Sequence, residues 1–305
     1  MKTLIIGVDH GNRMIKTKDN MYSCGYIKTK TQPISFENVL EYEGSFYCID
    51  GRSKYKYNKT IDSTYFLLTL PAIASRMIEE SVDEADVILG IGLPLSHYRL
   101  KDEYINYFKK ENIRFKYNNK RYLANIKEVM CFPQAISGLM PFYGRYKGID
   151  FLNLIDIGQV TVDAVKIFKG KPVLDSAVSL NYGMMKLVKS IQEAVRKETG
   201  IEMEEVQIEL SLQGRKTVYF NEDIEKIIEN VKLKFINDLL DELKENGFEL
   251  QATMNLLMGG GASIIQSSLD GCENSRIVYY EVLPQAQNAN ALGYELMVNE
   301  AIRRR

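Results

Sequence analysis

The 305-residue chain lacks the usual marks of a metalloprotein, a membrane protein or a direct nucleic-acid binder. Its four cysteines, Cys24, Cys48, Cys131 and Cys272, are scattered, with no C-x-x-C pair and no histidine cluster beside them. Neither a zinc site nor a disulfide framework is indicated, and the four are expected to be reduced, mostly buried thiols. Long apolar runs are also missing: nothing approaches 18 residues, and the opening "MKTLIIGVDHG" is too short for a signal peptide or a spanning helix. The expectation is a cytoplasmic protein with no membrane contact. The formal charge of -1 excludes a surface built to neutralise many phosphates, so no direct DNA binding is expected. The closing "RRR" reads as a helix end complementing its dipole. No G-x-x-x-x-G-K-[ST] loop is present, and "LGIGLP" has G-x-G without a third glycine before a helix, so it reads as a strand-end turn.

What is present is an ordinary globular composition, 45% hydrophobic with 21 glycines and 7 prolines, enough to bury the cores of two domains. "TLIIGVD", "YSCGYIKTK" and "FENVLEYEGSFYCID" read as strands, the last turning at Glu43-Gly44. "TYFLLTLPAIASRMIEES" has helical spacing, with Pro71 expected near a first turn or at a kink. "ADVILGIGLPLSHY" reads as a strand covered on both faces, and a helix over "KDEYINYFKKEN" and a strand pair around "YNNKRY" follow. After "CFPQAISGLMPFYG" the pattern restarts with strands "FLNLIDIG" and "TVDAVKIF" and a helix stopped by Gly200. A long helix with Asn221 as N-cap and an apolar face through Ile224, Ile227, Ile228, Val231, Phe235, Leu239 and Leu243 comes next. The strand "TMNLLMGGG" and a final helix close the chain.

An apolar strand ending in Asp-x-Gly, followed by a polar return strand, occurs twice, at Asp9/Gly11 and at Asp156/Gly158. We read this as two similar α/β lobes facing one another, with the turns at the mouth of a cleft. Glycine in such a turn lets backbone N–H groups approach phosphate oxygens. An aspartate beside phosphate requires a cation between them, and Mg²⁺, held by one or two carboxylates plus phosphate, suits that geometry. The run Gly259, Gly260, Gly261 after an apolar strand implies a close approach, by an adenosine or by packed chain.

In order and spacing, "GVDHGNRMIK", "PQAISGL", "LIDIGQVTVDAV", "LLMGGGAS" and "ANALGYELM" resemble the two phosphate motifs, two connecting helices and adenosine motif of the actin-like ATPases. The plasmid-segregating ParM/StbA branch looks most similar. The resemblance covers nearly the whole chain and implies an actin-like ATPase fold, α/β, with two ribonuclease H-like lobes around a nucleotide cleft. Lobe I would span 1–145, completed by about 288–305, and lobe II 146–287. Carried over, it implies that Asp9, Gly11, Asn12 and Lys16 form the first phosphate turn. Asp156, Gly158, Thr161 and Asp163 would form the second, with Mg²⁺ held by Asp9 and Asp156 through water. Gln134 would orient the attacking water, making Gln134, Asp9 and Asp156 the catalytic set. Gly259 to Gly261, with Gly183 and Lys186, would surround the adenosine. Gln159 departs from the family's consecutive glycines and puts the hydrolysis rate in question. His10 reads as a turn residue and His97 as a surface or packing residue.

The resemblance implies ATP (or GTP) with Mg²⁺ as cofactors, and a head-to-tail filament of the chain's own copies as its assembly. A DNA-binding adaptor protein at a plasmid centromere-like site would connect it to cargo. The alternatives are a small-molecule kinase of the same superfamily, a non-polymerising ATPase scaffold, or a cytoskeletal filament unconnected to plasmids.

Overall fold

The computed structural model describes residues 1–35, 37–49, 59–215, 222–270 and 276–305. The chain divides into two compact units, Met1–Gly144 with Asn288–Arg305, and Arg145–Gln287.

Unit 1 contains β1 (Lys2–Gly7), β2 (Asp9–His10), β3 (Met14–Lys16), β4 (Met21–Ser23), β5 (Ile27–Thr29), β6 (Val39–Tyr42), β7 (Ser45–Cys48), β8 (Glu84–Leu93), β9 (Ile113–Tyr117) and β10 (Lys120–Pro133). Its helices are α1 (Thr64–Glu79), α2 (Lys101–Phe108), the short α3 (Ile136–Leu139) and, from the end of the chain, α8 (Ala289–Arg303). The main sheet runs β1-β8-β10-β9-β6-β7-β5, and β2-β3-β4 form a small separate sheet. Strands β1, β8 and β10 are parallel neighbours, which is why "TLIIG" and "DVILGIGL" read as continuous apolar runs. Two of its hairpin turns, Glu43-Gly44 and Asn118-Asn119, each place two residues at positive φ, the geometry of two-residue hairpins.

Two sequence readings change. Pro71 lies in the middle of α1, which continues across it, with the flanking Leu70, Ala72 and Ile73 fully buried. Tertiary burial therefore outweighs the lost backbone hydrogen bond. Gly90 and Gly92 lie inside β8 instead of in a strand-end turn. A Cβ on Gly92 would stand 2.1 Å from the Tyr294 hydroxyl, so these glycines admit α8 onto the sheet.

Unit 2 contains β11 (Phe151–Ile157), β12 (Val162–Phe168), β13 (Lys171–Leu180), α4 (Met184–Thr199), α5 (Glu205–Leu212), α6 (Glu222–Glu245), β14 (Met254–Met258), α7 (Ala262–Asp270) and β15 (Tyr280–Val282). Its sheet runs β13-β12-β11-β14-β15. Helix α4 buries Met184, Leu187, Val188, Ile191 and Val195, and its chain ends where Gly200 turns left-handed at φ 73°. The long α6 buries the expected stripe from Ile224 to Leu243 apart from Val231, which is half-buried, and each fully buried aliphatic is worth about 1.5–3 kcal/mol. Its expected N-cap, Asn221, lies outside the described residues. Of the cysteines, Cys24 is buried and Cys48 and Cys131 are half-buried, all three free, while Cys272 also lies outside them. Three elements escaped the sequence reading: β13, α5 and the three-residue β15. Strand β13 is an edge strand with Pro172 near its start and Val173 and Leu174 exposed, so it lacks apolar alternation. Helix α5 is short and is started by a capping box between Glu204 and Gln207.

Candidate functional site

The two Asp-x-Gly turns share one backbone device. A Cβ added to Gly11 would stand 2.7 Å from the Met14 carbonyl oxygen, and one on Gly158 would stand 2.9 Å from that of Thr161. In each turn the glycine lets the chain fold back over the carbonyl three residues on, with the aspartate two residues before it. The aspartates differ in what they face. Asp9 pairs across the strands with Lys16, whereas Asp156 pairs with Asp163.

In unit 1, Asp9 is buried, with one oxygen 3.7 Å from Lys16 Nζ and the other accepting a 3.1 Å hydrogen bond from Gln134 Nε2. Four of the expected residues, Asp9, Gly11, Lys16 and Gln134, thus belong to one cluster. Asn12 follows directly, its Oδ1 3.5 Å from the Tyr65 hydroxyl. Gln134 stands at the end of β10 on a strained bend. Ala135 adopts φ 62°, ψ -60°, and Ile136 N–H donates to the Gln134 carbonyl two residues back at 2.7 Å. Asn290 of α8 supports the bend, its Oδ1 accepting from Ala135 N–H at 2.9 Å. Helix α8 comes this close because Gly293 has no Cβ; one there would lie 1.8 Å from the Ser137 carbonyl oxygen. The motifs "PQAISGL" and "ANALGYELM" therefore join in a single support for Gln134.

His10 follows Asp9 and points into the core. It is fully buried, stacked on Phe108 at 4.7 Å and edge-on to Tyr65 and Tyr104. Its Nε2 meets Thr69 Oγ1 at 2.8 Å, and because Thr69 already donates to the Tyr65 carbonyl, the proton lies on Nε2. Burial, with Lys59 adding to it, holds the imidazole pKa well below its ordinary value, so the ring is neutral. The Lys59 ammonium donates to the His10 carbonyl and lies 5.6 Å over the Tyr65 ring. Neither the cage around His10 nor Lys59 carries a sequence signal, since both depend on contacts about 50 to 100 residues away in the chain.

In unit 2 the second turn sits on the start of α4. Met184 and Met185 N–H groups donate to the Gly158 and Gln159 carbonyls at 3.0 and 2.9 Å, and Gly183 N–H to Val160 at 3.0 Å. A Cβ on Gly183 would stand 2.3 Å from Val160 C, so this glycine serves the contact between helix and turn. Gln159 takes part through its main chain. Thr161 Oγ1 donates to Asp163 Oδ2 at 3.0 Å. The glycine run lies against the same turn. Gly259, at φ 87°, would place a Cβ 2.3 Å from Asp156 Oδ1, and Gly261 N–H donates to the Ile157 carbonyl at 3.0 Å. Gly261 is closed in by Ile157 and Met184, while Gly260 is exposed and has no atom within 4 Å of its Cβ position. Of the three, Gly260 alone offers bare backbone to solvent. Lys186 is exposed, its ammonium 3.4 Å over the Tyr182 ring.

Among the described residues no group of three or more His, Cys, Asp or Glu side chains could hold a metal ion by protein ligands alone. The Asp156–Asp163 pair suits Mg²⁺, which keeps most of its waters and takes one or two carboxylates. Directly opposed like charges destabilise a strand pair, and a cation between them removes that cost.

These paired turns, strand orders and glycine contacts define a two-unit α/β protein of the actin type. The sequence matches the family models "Actin like proteins N terminal domain" over residues 7–136 and "Archaeal actin homologue MreB-like, C-terminal" over residues 154–271. The chain belongs to the actin-like protein family. Its fold is similar to that of the archaeal actin homologue Ta0583, at 19% identity over 98% of this chain and 99% of that one, TM-score 0.75. Ta0583 is also known in complex with ADP (20% identity, 97% and 99% coverage, TM-score 0.72). A ParM from Clostridium botulinum, solved as a 15-stranded filament, matches at 18% identity over 98% and 100% of the two chains, TM-score 0.74. A search of curated protein sequences finds no significant match.

Proposed function

We propose that the chain is a nucleotide-driven filament protein of the cytoplasm. It binds ATP or GTP with Mg²⁺, hydrolyses it, and uses that cycle to build and dissolve head-to-tail filaments of its own copies. A DNA-binding adaptor at a plasmid centromere-like site couples the filament to its cargo. The observation that carries this reading is the repeated turn: Asp, Gly two residues on, and the same glycine-over-carbonyl contact in both units. The ADP complex of Ta0583 and the filament formed by the Clostridium botulinum ParM support it.

In this reading Gly11 and Asn12, and Gly158 and Thr161, present backbone and short polar groups to phosphate oxygens, with Lys16 supplying positive charge. Asp156 and Asp163 hold the hydrated cation, which when bound neutralises charge on the phosphates. Asp9, already balanced by Lys16, orients Gln134 by accepting its amide hydrogen bond. An amide is not a base, so Gln134 places the attacking water for in-line displacement. Gly260, flanked by Gly259 and Gly261, faces the nucleoside, with Gly183 and Lys186 beside it.

Right-angle light scattering with pelleting, at micromolar protein with Mg²⁺ and ATP, GTP, ADP or no nucleotide, tests the reading. Scattering rises with a triphosphate and decays as phosphate is released. A flat trace with every nucleotide overturns the filament role, and triphosphate turnover in that flat trace redirects the search to a kinase substrate.

A further inference from the structure

The peptide that leads into each turn glycine is held by its carbonyl from outside the turn. In unit 2 the Ile157 carbonyl accepts from Gly261 N–H at 3.0 Å. In unit 1 the equivalent His10 carbonyl accepts from the Lys59 ammonium. The same place is filled once by a neutral backbone donor and once by a full positive charge. The N–H ends of the two peptides differ as well. That of Gly158 is taken inside its own turn by the Thr161 carbonyl at 2.9 Å, whereas no backbone carbonyl takes that of Gly11 among the described residues.

Lys59 is fixed in place by the residues that follow it. Thr60 donates to the Glu103 carboxylate of α2, and the Tyr107 hydroxyl of α2 donates to the Asp62 carbonyl at 2.6 Å. Asp62 Oδ1 accepts from Thr64 N–H at 2.9 Å, where α1 begins. This short segment is therefore fastened to both helices that wall the His10 cage. The half-buried Lys59 ammonium lies 5.6 Å over the Tyr65 ring, whose hydroxyl stands 3.5 Å from Asn12 Oδ1. One cation thus bears on the turn at His10 directly and at Asn12 through Tyr65. A positive charge on a peptide's carbonyl oxygen polarises the whole amide and strengthens its N–H as a donor, as hydrogen bonds in a chain reinforce one another.

We propose that Lys59 is a positioning residue of the first turn: by binding the His10 carbonyl it orients and polarises the His10–Gly11 peptide, so that Gly11 N–H holds a phosphate oxygen. The inference rests on the nucleotide reading of the turns and gives it a second cation beside Lys16, one that acts through the backbone. Lys59 then governs how tightly the polyphosphate is held, whereas Gln134 governs how fast it is cleaved.

The sequence supplies a selective probe. The chain has two histidines, and His10 is the one followed by glycine. Labelling histidine carbonyls with ¹³C and glycine nitrogens with ¹⁵N in the full chain therefore leaves one directly bonded pair, the His10–Gly11 peptide, and one NMR cross-peak to read. Lys59→Met keeps the stem over Tyr65 and removes the charge, with Lys59→Gln as a second neutral variant. In both the peak moves upfield in its carbonyl-carbon and amide-proton dimensions with no nucleotide added, and Lys59→Arg leaves it near the wild-type position. The Kd for Mg²⁺ with ATP or GTP rises about tenfold or more in the neutral variants, kcat at saturation stays within about threefold, and Lys59→Arg recovers most of the affinity. An unmoved peak in the neutral variants overturns the contact. A moved peak with unchanged triphosphate affinity overturns the positioning role. A wild-type chain that binds no triphosphate overturns the nucleotide reading and the phosphate role with it, while the peak still decides separately whether Lys59 holds the peptide.

Discussion

The two Asp-x-Gly turns have the same spacing and the same folded-back glycine, yet opposite electrostatics. Seven residues after its aspartate the first turn has Lys16, which faces Asp9, and the second has Asp163, which faces Asp156. The first turn is therefore balanced within the protein and is tied to a strained bend that carries Gln134. The second holds two carboxylates and suits a divalent cation. In the proposed function, one backbone solution used twice separates a water-placing role from a cation-holding one, and each difference can be broken on its own.

The largest effect is expected at Gly259, where the second turn meets the glycine run. Gly259→Ala forces a left-handed φ on a residue with a Cβ and drives that Cβ against Asp156 Oδ1 and the Ile157 carbonyl. The conformation costs about 1–2 kcal/mol and the overlap adds to it, for a loss of about 3 kcal/mol or more in denaturant unfolding. Gly260→Ala next door is the control: with open space around it, stability should change by less than about 1 kcal/mol. Equal losses at both positions would refute the contact with Asp156.

At the first turn, Gln134→Ala is expected to slow triphosphate hydrolysis about 10- to 100-fold while nucleotide affinity stays within about threefold, so that filaments persist longer. Asn290→Ala should follow in the same direction with a smaller loss, since it releases the Ala135 N–H that holds the bend. Turnover unchanged in Gln134→Ala removes it from water placement.

How much of this was legible in the sequence follows the range of the contacts involved. The two turns could be read because aspartate, glycine and return strand lie within ten residues of each other. The stripe on α6 and the stop at Gly200 were readable for the same reason. The support of Gln134 was half legible: both of its motifs stand out, but only the fold shows that Gly293 lets α8 reach Ser137 and that Asn290 holds Ala135. The His10 cage and Lys59 were hidden, being assembled from α1, α2 and a segment about 50 residues away. Strand β13 was hidden because an edge strand need not alternate.

His10 gives the first turn a pH signature that the second lacks. Its pKa is lowered in the folded state, so the unfolded chain takes up a proton first as pH falls through about 6.5. Stability is full above that value and declines below it by up to about 1.4 kcal/mol per pH unit, until the buried ring itself protonates. His10→Phe keeps an aromatic ring in the cage and removes the titration. Urea unfolding between pH 7 and 5 should show a shallower pH slope in this variant, and an unchanged slope would assign the proton uptake elsewhere.

The smallest predicted effect bears most directly on the contrast between the turns. Without divalent cations, Asp163→Asn removes one of two opposed carboxylates and should stabilise the chain by about 0.2–1 kcal/mol. With Mg²⁺ and triphosphate the proposed function predicts that the sign reverses, because there Asp163 is one of the carboxylates that would hold the hydrated cation, and the ligand-induced rise in Tm should shrink. Lys16→Gln makes the complementary change at the first turn. It leaves Asp9 without its counter-charge, so it should destabilise the ligand-free chain. If Asp163→Asn and Lys16→Gln shift ligand-free stability in the same direction, the electrostatic division between the turns fails, whatever nucleotide the protein binds.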